Sequence, residues 1–146
     1  MDPILQRLDD ERALIALTTD YCWALDQRRY EELDQIFTVD ATCDYGFVQV
    51  AGLDDIKALV AASLGPLDIS QHLVSSPQIR IDGDIAELRC NLQAQHTKRG
   101  AEGGDNYLIG GYYEDTAVRT GDGWRISHRT LVMTWNEGNR KIIGRT

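Results

Sequence analysis

No stretch of this chain is a long hydrophobic run. The opening segment MDPILQRLDDERALIAL is broken early by charge, so it reads as neither a signal peptide nor a transmembrane span. A basic block is also missing. The formal net charge is −8, which argues against nucleic acid as a partner, because that binding needs a cationic footprint, and against an anionic membrane surface. Cysteine is scarce: Cys22, Cys43 and Cys90 are far apart, odd in number and without C-x-x-C spacing. That usage suggests reduced thiols in a cytoplasmic protein, each acting as a small core residue. The histidines lack H-E-x-x-H spacing and the cysteines do not complete a ligand set, so no metal is expected. No glycine-rich loop follows a strand and opens a helix, so no nucleotide site is indicated and no cofactor is expected. Gly103-Gly104 and Gly110-Gly111 read as a flexible loop and a sheet bend.

What remains is a chain of 146 residues with 42% hydrophobic content. That suits one domain, residues 1–146, with a single core. Between Asp9 or Asp10 and about Gln27, the residues Leu14, Leu17, Tyr21, Ala24 and Leu25 recur at helical spacing. YEELDQIF continues as a shorter helix. ATCDYGFVQV reads as a strand. GLDDIKALVAASLG is a third helix, with Asp54 a plausible N-cap and Gly65-Pro66 a stop. Four strand candidates follow: HLVSSPQIRI, IAELRCNLQAQHT, NYLIGGYYEDTAVR and WRISHRTLVMTW. The turns DGD and TGDG punctuate them. Helices first and antiparallel strands later predict an α+β domain with helices on one face of a strongly curved sheet.

Two polar residues sit at the edge of apolar faces. In AELRCNLQAQH, Ala86, Leu88, Cys90, Leu92 and Ala94 share one face, and His96 falls at its far end. His96 is either a half-exposed strand-end histidine or a group at the rim of a pocket. Asp26 stands near the end of the first helix, where a negative charge opposes the helix dipole at a cost of roughly 0.3–1 kcal/mol. It lies one turn after Cys22, beside the apolar face. Spacing alone leaves it either a solvated carboxylate in a turn or a pocket group. On the last strand, His128 alternates with Trp124 and Ile126, and Arg129 shares the opposite face with Ser127 and Leu131. Strand bulges make that parity insecure, and both residues read first as structural. Trp124, Trp135 and Tyr112 read as core or subunit-contact aromatics. Of Tyr21 and Trp23, at least one should line a pocket.

The ordered set YCWALDQRRYEELDQIFTVDATCDYG, GLDDIKALV, QHLVSS and GDGWRISHRTLVMTW resembles the SnoaL-like branch of the NTF2-like superfamily, over about residues 8–136. The resemblance implies a cone: a curved mixed sheet, largely antiparallel, wrapped around an N-terminal helix with a deep pocket inside. The catalytic pattern is similar to that of scytalone dehydratase, hexachlorocyclohexane dehydrochlorinase and bile-acid 7α-dehydratase. Asp26 in LDQRRY and His72 in SQHLV match their aspartate and histidine. Tyr45 in CDYG matches the tyrosine that polarises the substrate carbonyl in scytalone dehydratase, and His96 its second histidine. Leu25 and Glu114 depart from it, standing where scytalone dehydratase has a second tyrosine and an asparagine.

By that resemblance, Asp26, His72, Tyr45 and His96 are the expected catalytic residues, and Tyr21, Trp23, Glu114 and Arg129 the expected substrate contacts. His72 would act as base, oriented by Asp26; Tyr45 would hold an enolate-like oxygen; His96 or Glu114 would protonate a departing hydroxyl. The expected function is a cofactor-independent lyase, or a proton-shuttling isomerase or cyclase, acting on a small hydrophobic cyclic molecule. A homo-oligomer, dimer or trimer, is expected from the superfamily. The rival readings are a non-catalytic binding or assembly module and a relative of the β subunit of ring-hydroxylating dioxygenases.

Overall fold

The structure, a computed structural model, describes residues 1–143. Its first element is α1 (Pro3–Asp26), which begins earlier than the apolar spacing predicts. The cause is local. The Asp2 carboxylate accepts the Ile4 N–H at 2.7 Å, and Pro3 takes the first turn, where a missing N–H costs nothing. The early turns carry exposed Ile4, Leu5 and Leu8, while Leu14, Leu17, Tyr21, Ala24 and Leu25 face the core. The expected second helix is a short 3-10 turn, Tyr30–Gln35.

The expected strand at residues 41–50 is a hairpin of two strands, β1 (Phe37–Asp44) and β2 (Gln49–Ala51). The chain reverses at Gly46, whose φ of 84° suits glycine and whose N–H is held by the Asp44 carboxylate at 2.8 Å. Helix α2 (Leu53–Leu64) follows. Asp54 lies in its first turn rather than at the cap, which is Gly52. The rest is β: β3 (Ile69–Asp82), β4 (Ile85–Thr97), β5 (Asn106–Thr120) and β6 (Gly123–Gly138), ending in a 3-10 turn at Arg140–Ile142.

The six strands form one curved, open mixed sheet in the order β2-β1-β6-β5-β4-β3. All pairs are antiparallel except β1 with β6. Helix α1 packs against β3 and β6 on the inner face. Strand β4 shows why that face is apolar: Ala86, Leu88, Cys90, Leu92 and Ala94 are buried, and the residues between them are exposed. All three cysteines are buried and free. Burial pushes the Cys22 thiol up to about 12 and those of Cys43 and Cys90 to about 11, so they stay protonated and unreactive at neutral pH. Among the described residues, no helix is long and apolar enough to cross a membrane.

Two bulges break the parity of β6. Gly110 pairs with Trp135 but Gly111 with Met133, so Thr134 is an extra residue. A Cβ on Gly111 would lie 2.0 Å from the Val132 carbonyl oxygen, which makes the bend specific for glycine. Thr116 pairs with His128 but Ala117 with Ile126, so Ser127 is also extra. That second bulge decides which of His128 and Arg129 turns inward.

A polar clamp fixes α1 to the far end of the sheet. Asp10 is buried and accepts from Arg119 Nη1 and Nη2 at 2.7 and 2.9 Å and from Trp124 Nε1 at 2.9 Å. The Arg119 guanidinium, helped by the indole, holds the Asp10 carboxyl well below the usual carboxylate range, against the opposing effect of burial. A depressed folded-state pKa gives stability that is complete above the unfolded value near 3.8 and is lost as pH falls below it. Asp10→Asn is therefore expected to lower the melting temperature at pH 7, by a margin that shrinks below about pH 4. Thermal melts of both proteins across that range check this; a constant margin would contradict it.

Candidate functional site

The site is assembled where the end of α1 meets the start of β3. Arg28, in the left-handed region at φ 57°, sends Nη2 to the carbonyls of Leu64 and Leu67 at 3.2 and 2.7 Å. That ties the end of α1 to the end of α2. Asp26, the last residue of α1, is thereby held against β3 and accepts three hydrogen bonds. The His72 backbone N–H donates to Oδ2 at 2.8 Å, the Ser70 hydroxyl donates to Oδ1 at 3.2 Å, and His72 Nδ1 lies 2.6 Å from Oδ1. A carboxylate so placed accepts only, so Nδ1 carries the proton and Nε2 is left as the basic nitrogen of His72. The side chains are 14% (Asp26) and 6% (His72) exposed.

His96 is one strand away, its ring 6.1 Å from that of His72 and nearly perpendicular to it. Its Nδ1 lies 3.0 Å from the Tyr107 carbonyl and must donate to it. Burial, reinforced by His72, lowers its pKa to about 4, although the Tyr107 carbonyl opposes the shift. At neutral pH His96 is uncharged with Nε2 an acceptor. Its one ring proton is held by the Tyr107 carbonyl. The sign of its effect on stability follows. Between pH 6.5 and about 4 the unfolded chain takes up a proton that folded His96 refuses, so stability falls as pH falls through that window. His96→Gln is expected to flatten the pH dependence of unfolding free energy there, read by urea titrations at several pH values. An unchanged slope would contradict a buried neutral imidazole.

Opposite the histidines stand two phenols. Tyr21 Oη and Tyr45 Oη are 3.0 Å apart. Burial pushes Tyr21 up to about 12 and Tyr45 well above its ordinary value, so both are neutral donors. If Tyr21 donates to Tyr45, the Tyr45 proton is free for another acceptor. Tyr21, Tyr45, His72 and His96 all line one cavity of about 70 Å³. That is several times what one water needs on the same measure. The remaining walls are largely apolar, among them Leu25, Phe47, Val60, Leu92 and Ile109.

Residues 6–130 match the family model of the SnoaL-like domain. The chain belongs to the SnoaL-like family. Among its relatives is an uncharacterized protein of Mycobacterium tuberculosis, 34% identical over 126 residues that cover 84% of each chain. Among solved structures, a scytalone dehydratase-like protein of Novosphingobium aromaticivorans is 24% identical, with a TM-score of 0.83 over 95% of this chain and 93% of that one. A hexachlorocyclohexane dehydrochlorinase of Novosphingobium barchaimii is 19% identical, with a TM-score of 0.82 over 97% and 98% of the two chains. An NTF2-like protein of Novosphingobium aromaticivorans, 22% identical with a TM-score of 0.76 over 89% of this chain and 85% of that one, shares the architecture, so the fold is the NTF2-like cone.

Not every expected contact of this SnoaL-like domain reaches the cavity. Trp23 is 62% exposed and lines an outer groove with Thr19, Gln27 and Leu73. Two residues along a helix point to nearly opposite sides, so Tyr21 inside puts Trp23 outside. Glu114 is exposed on the outer face of β5, because Tyr113 and Asp115 on either side take the inner one. It is in no position to protonate a group in the cavity. The Ser127 bulge turns Arg129 inward, against the parity expectation, and His128 outward, where its ring bonds Thr42 Oγ1 at 2.6 Å and Thr130 Oγ1 at 3.1 Å. Arg129 is fully buried but lies behind the cavity wall. It makes two 2.8 Å bonds to Asp115, and its guanidinium sits 4.3 Å over Tyr21 and 3.9 Å over Tyr113. Ser70, absent from the expected site, stands two residues before His72 on β3, a spacing that signals a shared face. Asp115 and Tyr113 carry the same period-two signal on β5.

Proposed function

We propose that this SnoaL-like domain is a cofactor-independent lyase that eliminates water, or a comparable leaving group, from a small hydrophobic ring ketone. The observation that carries the reading is the 2.6 Å contact of His72 Nδ1 with Asp26, made by a ring that lines an apolar cavity. His72 Nε2 takes a proton from the carbon beside the carbonyl. The carbon–hydrogen electron pair moves to the carbonyl oxygen, which becomes enolate-like and is held by the Tyr45 hydroxyl. Asp26 stabilises the imidazolium and fixes its tautomer, as the aspartate of a catalytic triad does. The enolate then re-forms the carbonyl and expels the β-hydroxyl, which leaves as water with the proton that His72 had taken. Both His72 and the tyrosine return to their starting forms. If the imidazolium instead returns its proton to another carbon, the same pair performs an isomerisation.

The dehydratase and dehydrochlorinase neighbours support elimination as the reaction class. Screening hydroxylated ring ketones for turnover tests the proposal. Tyr45→Phe is expected to lower kcat on such a substrate by about 10-fold, because one hydrogen bond to the developing oxyanion is lost and Tyr21 remains nearby. Ligand affinity that falls in Tyr45, His72 and Asp26 variants while turnover is never detected would make the domain a binding module.

A further inference from the structure

The inner face of α2 is made of Leu53, Ile56, Val60, Ser63 and Leu64. Ser63 is the one polar residue in that stripe. It is 9% exposed, and it lines the same cavity as His72 and Tyr45. A serine buried in a helix ordinarily satisfies its hydroxyl by donating back to the carbonyl three or four residues earlier, as Thr18 does to the Ile15 carbonyl at 2.8 Å in α1. Among the described residues, the Ser63 hydroxyl makes no such bond and no other. Alanine at this position would favour the helix more and would lose nothing to desolvation. Without a protein partner, the Ser63 hydroxyl keeps both its donor and its acceptor for whatever fills the cavity.

The polar groups of the cavity are thus divided by element. The histidines come from β3 and β4, and the phenols Tyr21, Tyr45 and Tyr113 from α1, the β1–β2 hairpin and β5. Ser63 comes from α2, which contributes otherwise apolar Leu59, Val60 and Leu64 to the wall. A substrate with only the carbonyl and its leaving group would leave the Ser63 hydroxyl facing hydrocarbon. We propose that Ser63 is a specificity residue, and that the substrate of this site carries an additional oxygen, a hydroxyl on the ring or a side arm, which hydrogen-bonds to it. This rests on the ring-ketone reading above and narrows it to a polyoxygenated ring.

Binding, rather than turnover, is the test, so it does not require the natural substrate. Alpha-tetralone and the isomeric hydroxy-alpha-tetralones, which differ only in the position of one ring hydroxyl, are titrated into the full chain by calorimetry. At least one isomer is expected to bind roughly 5-fold or more tightly than alpha-tetralone itself, the worth of one net hydrogen bond. In Ser63→Ala that affinity ratio is expected to fall to about one, and Ser63→Thr, which keeps the hydroxyl, to restore part of it. In His72→Ala the ratio is expected to persist, which separates this contact from the base. A ratio unchanged in Ser63→Ala, or no preference among isomers when alpha-tetralone binds, would overturn the role of Ser63 and leave the base untouched. Binding of no tetralone at millimolar concentration would overturn both readings.

Discussion

His72→Ala is expected to lower kcat by roughly 10²–10⁴-fold, the usual worth of a positioned base. The substitution removes the imidazole that Asp26 orients and that lines the cavity. Asp26→Asn should also lower kcat while leaving affinity nearly intact. An amide can present its NH₂ group to Nδ1 and stabilise the wrong tautomer, and it carries no charge to balance an imidazolium. Because the two residues act as a unit, the double variant should be little worse than His72→Ala. Steady-state kinetics on a substrate found by screening reads all three. Fully additive losses would mean that the pair does not work as one device, and elimination by this route would lose its support.

Arg129→Leu is expected to destabilise the fold by about 3–5 kcal/mol, because it leaves the Asp115 carboxylate buried without its partner. Both side chains have no solvent exposure, and Asp115 receives two bonds of 2.8 Å from the guanidinium. Burial works against the charge on Arg129, and the Asp115 carboxylate more than offsets it, so the guanidinium titrates well above its ordinary value. The double variant Arg129→Met with Asp115→Leu should recover most of the loss, since an apolar pair of similar volume has no desolvation cost to repay. Urea unfolding of the three proteins checks this. A folded single variant of normal stability with weak ligand binding would instead make Arg129 a substrate contact.

The parts of the fold that were legible in the sequence are those governed by a regular period. Strand β4 alternates without a bulge, so its buried face can be read from residue 86 to His96. Tyr21 and Leu25 follow from helical spacing in the same way. The hidden parts depend on breaks in the period. One extra residue at Ser127 exchanges the faces of His128 and Arg129, and nothing in RISHRTL marks it. The hairpin inside residues 41–50 turns on Gly46, which looked like part of a strand. The meeting of Asp26 with His72 is a long-range contact between a helix end and an edge strand. Periodicity alone left Asp26 open between solvent and pocket; the family resemblance supplied the pairing. Ser63 was hidden for another reason: a helical serine usually bonds its own backbone, and only the side-chain geometry shows that this one does not.

The most direct measurement is hydrogen–deuterium exchange at the carbon beside the carbonyl of alpha-tetralone, followed by proton NMR in D₂O. It asks for proton abstraction alone, without a leaving group and without the natural substrate. Exchange well above the buffer rate is expected with the wild-type protein, loss to near the buffer rate in His72→Ala, and a large reduction in Asp26→Asn. Exchange at the buffer rate with tetralone bound to the wild-type protein, or equal exchange in wild type and His72→Ala, would contradict this expectation.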